Sequence, residues 1–162
     1  MLRLYSDTTF LGLRRDLSVA FKAAEAKIPL KARPLDRRDD LSFIQAFYGD
    51  IFPRLHEDEA LLEGAYTAED FRGQGVMASA MAQIAERAND LGARWVITFV
   101  GERHIASLKG CKRAGFVPYV RRREIYRLFR HKVTFTPLPE GAPYPFDLEN
   151  KHPHPPNSDK IA

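Results

Sequence analysis

The chain has 162 residues, enough for one domain with a hydrophobic core. Apolar residues make up 44% and charged ones 28%, and no apolar run approaches a membrane span, which excludes a helical integral membrane protein and a wholly disordered chain. The net charge is a mild +4 and the single cysteine, Cys111, excludes an internal disulfide, so a reducing, cytoplasmic setting is expected, with no membrane partner.

In chain order, residues 2–17 read as two short strands around Ser6-Asp7, a hairpin. Arg3, Asp7 and Arg14 interrupt the apolar residues, so no signal peptide is expected there. The alanines of 19–26 suit a helical turn, and Pro29 breaks it. Residues 30–35 alternate apolar and basic, the pattern of a strand. A charged turn at 37–40 precedes a helix over 41–52, where Leu41, Ile44, Phe47, Tyr48 and Ile51 fall at helical spacing and Pro53 is the stop.

The signals then sharpen. Residues 60–67 predict a strand and 68–74 a polar loop. A helix over 75–91 carries Met77, Ala80, Met81, Ile84, Ala88 and Leu91 as its apolar stripe, with Gly92 as its stop. Residues 95–100 are nearly all apolar, a strand covered on both faces. A second helix spans 103–114 and ends at Gly115, and two strands, 116–128 and 132–138, pair as a hairpin. Its basic residues Arg121, Arg122, Arg123, Arg127, Arg130 and Lys132 suit a solvated strand edge or attraction to an anion. No motif supports nucleic acid as the partner. The tail from Pro139 is proline-rich and polar, and is expected not to fold alone. Its His152 and His154 read as solvated rather than as metal ligands, and no metal is expected.

The order strand, loop, helix, strand, helix over 60–114 implies a parallel strand pair with a right-handed crossover. The loop Phe71-Arg72-Gly73-Gln74-Gly75-Val76-Met77-Ala78 lets the backbone turn tightly and approach a ligand. Free N–H groups at the start of its helix carry partial positive charge and suit a diphosphate.

Arg72-Gly73-Gln74-Gly75 after a strand resembles the Arg/Gln-x-x-Gly-x-Gly/Ala pyrophosphate loop of the GNAT superfamily of N-acyltransferases. Residues 106–116, ending in Gly115-Phe116, resemble that superfamily's second cofactor helix. The resemblance implies an α/β (α+β) fold: a mixed, mostly antiparallel sheet with a splayed parallel central pair and flanking helices. It implies acetyl-CoA as co-substrate and an amine as acceptor. Arg72, Gly73, Gln74, Gly75, Val76 and Met77 would hold the pyrophosphate through backbone N–H groups. Ala65, Tyr66 and Thr67 would pair with the pantetheine arm, one N–H polarising the thioester carbonyl. His104 and Ser107 lie on the second helix on the cofactor side. His104 stands where the family usually has Asn, and Cys111 where it usually has Tyr.

Two residues are candidates for proton transfer. Glu63, inside the strand beside the cleft, is the candidate base for the attacking amine, with a solvated carboxylate as the alternative. Cys111 is the candidate acid for the leaving thiolate, with a small core residue as the alternative. Tyr66, Tyr119 and Tyr126 are geometric substitutes for the missing tyrosine.

The sequence departs from the family's element order. Only the 24 residues of 36–59 precede the strand at 60, room for one helix, so two central strands and a helix of the acceptor side are expected to be missing. The 2–17 pair is expected either to fill that gap or to leave an open edge, which invites pairing with a second copy. The division is therefore 1–59 as an abbreviated acceptor side, 60–138 as an acyl-CoA-binding core and 139–162 as tail. Two rival functions stand beside the enzyme: a non-catalytic acyl-CoA binder, and an NAD module built on Gly73-x-Gly75-x-x-Ala78 with Glu102 as the ribose acid.

Overall fold

The computed structural model describes residues 5–23, 25–32 and 55–149. The expected turn at 37–40 and helix at 41–52 lie outside them, as do His152 and His154. Within them the elements run β1 (Tyr5–Asp16), β2 (Glu59–Leu61), α1 (Val76–Asp90), β3 (Trp95–Gly101), α2 (Ile105–Arg113), β4 (Val117–Arg127), β5 (Arg130–Pro137) and α3 (Pro145–Glu149). The five strands form one mixed sheet in the order β2-β3-β1-β4-β5. Only β2 and β3 are parallel, and the fold is the α+β class that the sequence implies.

The N-terminal segment corrects the expected hairpin. Ser6 and Asp7 sit inside one twelve-residue strand. Asp7 is held extended because Arg123 of β4 donates to it twice, Nε to Oδ1 at 2.9 Å and a terminal nitrogen to Oδ2 at 2.5 Å. β1 pairs antiparallel on both sides, from Phe10↔Gly101 to Asp16↔Trp95 and from Tyr5↔Arg127 to Arg14↔Val117. It therefore enters the middle of the sheet and does not lie beside β2, which is an edge strand among the described residues. Gly12 permits the crossing: a Cβ there would lie 2.9 Å from the Phe99 ring and closer still to Val120, at the place where the β1–β4 register shifts.

Two further segments differ from expectation. The described part of 19–26 is not helical. Phe21 packs against Gly115, whose φ of +84° and lack of a Cβ admit the ring. Residues 30–32 form no strand, and 33–35 lie outside the described set. The Gln83 amide holds this stretch instead, donating to the Leu30 carbonyl at 3.2 Å and accepting from the Ala32 N–H at 2.8 Å.

The core lies between one sheet face and the helices. Leu11 and Leu13 of β1 and Val96 of β3 meet Met81 and Ala85 of α1 and Leu108 of α2. On α1 the buried residues are Ala78, Met81, Ala82 and Ala85, whereas Ile84 and Leu91 of the predicted stripe are exposed. Met77 and Ala88 of that stripe pack against the core's edge, so the buried face is centred on Ala78, Met81, Ala82 and Ala85.

The chain after β5 also departs from the solvated tail expected of it. Tyr144 and Phe146 stack with ring centres 5.1 Å apart and join the core. The Tyr144 hydroxyl donates to the Phe116 carbonyl at 2.6 Å. Burying two aromatic rings supplies the driving force that the local composition lacks.

Candidate functional site

The cleft begins where the parallel pair parts. Glu59↔Trp95, Ala60↔Val96 and Leu61↔Ile97 are in register, and the Leu62 N–H donates to the Ile97 carbonyl at 2.8 Å. The β2–β3 ladder ends there. Gly64 then takes a φ of +67° and turns the chain away, so β2 is shorter than the predicted strand over 60–67. Ala65, Tyr66 and Thr67 form one wall of the resulting gap.

The next stretch is a self-braced loop. A 3-10 turn spans Glu69–Phe71. Arg72 Nε donates to the Thr67 carbonyl at 3.1 Å, its terminal nitrogen bonds Glu69 at 3.2 Å, and its guanidinium lies 5.8 Å from the Tyr66 ring. The Gln74 amide donates to the Asp70 carbonyl at 2.9 Å, and the Gln74 carbonyl accepts from the Lys27 N–H at 2.8 Å. Gly73 and Gly75 both have positive φ, +73° and +79°, and carry the chain into α1.

Gly75 occupies the N-cap position, and among the described residues no side-chain hydrogen bond caps α1. The first helical bond within this turn comes from Ser79 N–H to the Gly75 carbonyl at 3.1 Å. Gly75, Val76, Met77 and Ala78 at the start of α1 line the cleft, at the end of the helix where the backbone N–H groups lack intrahelical acceptors. The cleft has a volume of about 390 Å³, and its far wall is α2 through Ala106, Ser107, Gly110 and Arg113.

Of the residues singled out in the sequence, the structure brings nine together around this cleft: Ala65, Tyr66, Thr67, Arg72, Gly73, Gly75, Val76, Met77 and Ser107. Four stand off its wall. Gln74 braces the loop from behind. His104 sits before α2 with its ring against Gly101. Glu63 is half-buried just past the end of β2, outside that strand. Cys111 is 2% exposed and belongs to the core, where burial pushes its thiol up to about 12. Cys111 is not among the residues lining the cleft, and its burial fits the alternative reading of a small core residue.

The tyrosines separate in the same way. Tyr66 lines the cleft. Tyr119 lies away from it under the Arg14 guanidinium, 5.4 Å from ring to cation, and burial followed by the nearby Glu59 charge pushes its hydroxyl up to about 12. Tyr126 is on β4 near the hairpin end. Glu102, the ribose acid of the dinucleotide reading, accepts from Arg121 Nε at 2.7 Å and does not line the cleft.

Phe71, Ala78, Ala106, Gly110 and Arg113 also line the cleft; they lie in the loop and second helix singled out in the sequence but were given no role of their own there. The clue on α2 was Gly110. A glycine inside a helix costs about 1 kcal/mol relative to alanine, which points to a packing reason. A Cβ at Gly110 would come within 3.2 Å of the Met77 sulfur, so α2 meets the start of α1 there. Ala106, Gly110 and Arg113 follow at helical spacing on that same side.

The cleft thus lies between the parted β2–β3 pair, the start of α1 and the side of α2. Residues 37–116, about half of the chain, match the family model described as Acetyltransferase (GNAT) family, and the chain belongs to the GNAT superfamily. Neither the curated proteins nor the solved structures returned a match. The family assigns an acyltransferase-type function to this chain. Among the described residues, no helix is long and apolar enough to cross a membrane.

Proposed function

We propose that the protein transfers an acetyl group from acetyl-CoA to an amine. The observation that carries this reading is the uncapped start of α1 opening into a cleft beside the parted β2–β3 pair. The first-turn amides, from Gly75 to Met77, would seat the diphosphate. The extended 65–67 segment would run alongside the pantetheine arm and present an N–H to the thioester oxygen. Arg113 supplies the cation, since Arg72 is already bonded to Thr67 and Glu69. A reducing, cytoplasmic compartment suits both the free Cys111 and the thioester. The functional unit would need β1 as well as residues 60–148, because Leu11 and Leu13 of the central strand and Tyr144 and Phe146 beyond position 138 share one core.

In the reaction, the amine nitrogen attacks the thioester carbonyl carbon and the C–S bond breaks. The amine's proton would leave through water to Glu63, which stands off the cleft wall. The coenzyme leaves as its thiolate, a tolerable leaving group with a pKa of about 8.5. Tyr66 is the tyrosine on the cleft wall that can return a proton to it. The acyl group ends on nitrogen as an amide.

Calorimetry with acetyl-CoA and NAD, followed by thiol release with a panel of amines, tests this reading. Acetyl-CoA should bind and NAD should not. Gly73→Asp is the companion variant: open space surrounds a Cβ there, and aspartate tolerates positive φ better than most residues. The added carboxylate should abolish acetyl-CoA binding. Undiminished binding by Gly73→Asp would rule out a diphosphate on these amides. Binding without thiol release would instead favour the non-catalytic binder.

A further inference from the structure

The β4–β5 hairpin ends against three local rules at once. Its two turn positions need positive φ, which asparagine and glycine adopt cheaply. Leu128 and Phe129 occupy them, at φ 45° and 65°. Both side chains project into solvent, 59% and 76% exposed. Arg127 stands directly opposite Arg130 in the ladder, and like charges in that relation weaken a hairpin.

The charge pattern sharpens toward the tip. Farther back, Arg121 bonds Glu102 and Arg123 bonds Asp7. Arg127, Arg130 and Lys132 have no ion-pair partner among the described residues. Arg127 pairs with Arg130, and Lys132 pairs with Ile125, so alternation puts all three cations on one face of the ribbon. The tip is thus an apolar pair with three uncompensated cations directly behind it. None of these residues lines the cleft.

Each of these features works against the stability of the isolated hairpin, and an Asn-Gly turn would remove two of them. Several local rules broken together point to a functional surface. We propose that this tip docks the protein peripherally on an anionic lipid bilayer. Leu128 and Phe129 enter the boundary of the acyl chains, and Arg127, Arg130 and Lys132 lie at the level of the headgroup phosphates. The layering matches: apolar groups foremost, cations one step behind. A single-stranded nucleic acid calls for aromatic rings and cations side by side along a groove, and Leu128 offers no stacking surface. No span is needed, so the proposal revises the expectation of no membrane partner drawn from the lack of a long apolar run.

The test is sedimentation of the full-length protein with vesicles of phosphatidylcholine alone or of phosphatidylcholine and phosphatidylglycerol in equal parts. Wild type should sediment with the mixed vesicles, less so as salt rises, and weakly with the neutral ones. Leu128→Asn combined with Phe129→Gly should lower the partition coefficient by about tenfold or more while raising Tm, because the turn relaxes. Arg127→Gln combined with Arg130→Gln should lower it by roughly fivefold per arginine without loss of Tm. Four results would overturn the proposal: no sedimentation of wild type, equal binding to neutral vesicles, full binding by the Asn-Gly variant, or tip-dependent binding of an oligonucleotide by a protein that ignores vesicles.

Discussion

Two arginines line the cleft, and their surroundings predict opposite behaviour. Arg72 donates to Thr67 and Glu69 and lies over Tyr66, so it braces the loop. Arg113, in the last turn of α2, has no ion-pair partner among the described residues and faces the same space. A cation about 4 Å from a phosphate oxygen gains about 1 kcal/mol in water and about 4 kcal/mol at a typical protein-surface dielectric. Arg113 is exposed, so the lower part of that range applies, about 1–2 kcal/mol. Arg113→Ala should therefore raise the Kd for acetyl-CoA roughly five- to thirtyfold and flatten its salt dependence. The Kd for S-acetylpantetheine, which lacks the phosphates, should not change. Arg72→Ala should instead lower Tm and weaken both ligands alike, because it loosens the 67–72 segment. Calorimetry of the three proteins with both ligands, at low and high salt, reads all of this. Equal losses for both ligands in Arg113→Ala would refute the assignment of Arg113. Dephospho-CoA as a third ligand then tells whether the 3′-phosphate or the diphosphate is the group Arg113 meets.

Three further outcomes follow from the core and the ion pairs. Tyr144→Phe removes the hydroxyl that bonds the Phe116 carbonyl and should cost about 1–2 kcal/mol, a fall of several degrees in Tm by calorimetry; an unchanged Tm would mean that this segment is not docked. The Arg123 hydrogen bonds hold the Asp7 carboxyl below its ordinary value of 3.8, so the contribution is complete above that pH and disappears as pH falls through the lower folded value. Asp7→Asn should therefore be less stable than wild type at neutral pH, and the two acid-unfolding curves should merge below 3.8; parallel curves down to the acid limit would contradict the pairing. Finally, burial pushes the Cys111 thiol up to about 12, so iodoacetamide at neutral pH should label the denatured protein and spare the native one, as read by mass spectrometry. Fast native labelling would place the thiol at the surface.

The parts legible in the sequence are those fixed by neighbours in the chain. Gly73, Gly75, Gly92 and Gly115 fall where φ is positive, and that requirement belongs to the backbone itself. α1, β3, α2 and the β4–β5 hairpin follow from apolar periodicity, and their order fixed the parallel pair and the position of the cleft. The loop signature at 72–77 falls at the start of α1, and five of its residues line the cleft.

Tertiary structure decided what depends on partners distant in sequence. The turn expected at Ser6-Asp7 gave way because Arg123, far along the chain, offers Asp7 a better bond in the extended form. β1 went between β3 and β4 because two long antiparallel ladders bury Leu11 and Leu13, a choice invisible to local propensity. Tyr144 and Phe146 ordered a proline-rich stretch only because a core face was waiting for them. The face of α2 turned toward the cleft was settled by how closely Gly110 lets it approach Met77, which put Arg113 in the cleft wall and Cys111 in the interior. Backbone preference acts over a few residues and can be read along the chain; hydrophobic burial and ion pairing act between segments whose proximity exists only once the chain has folded.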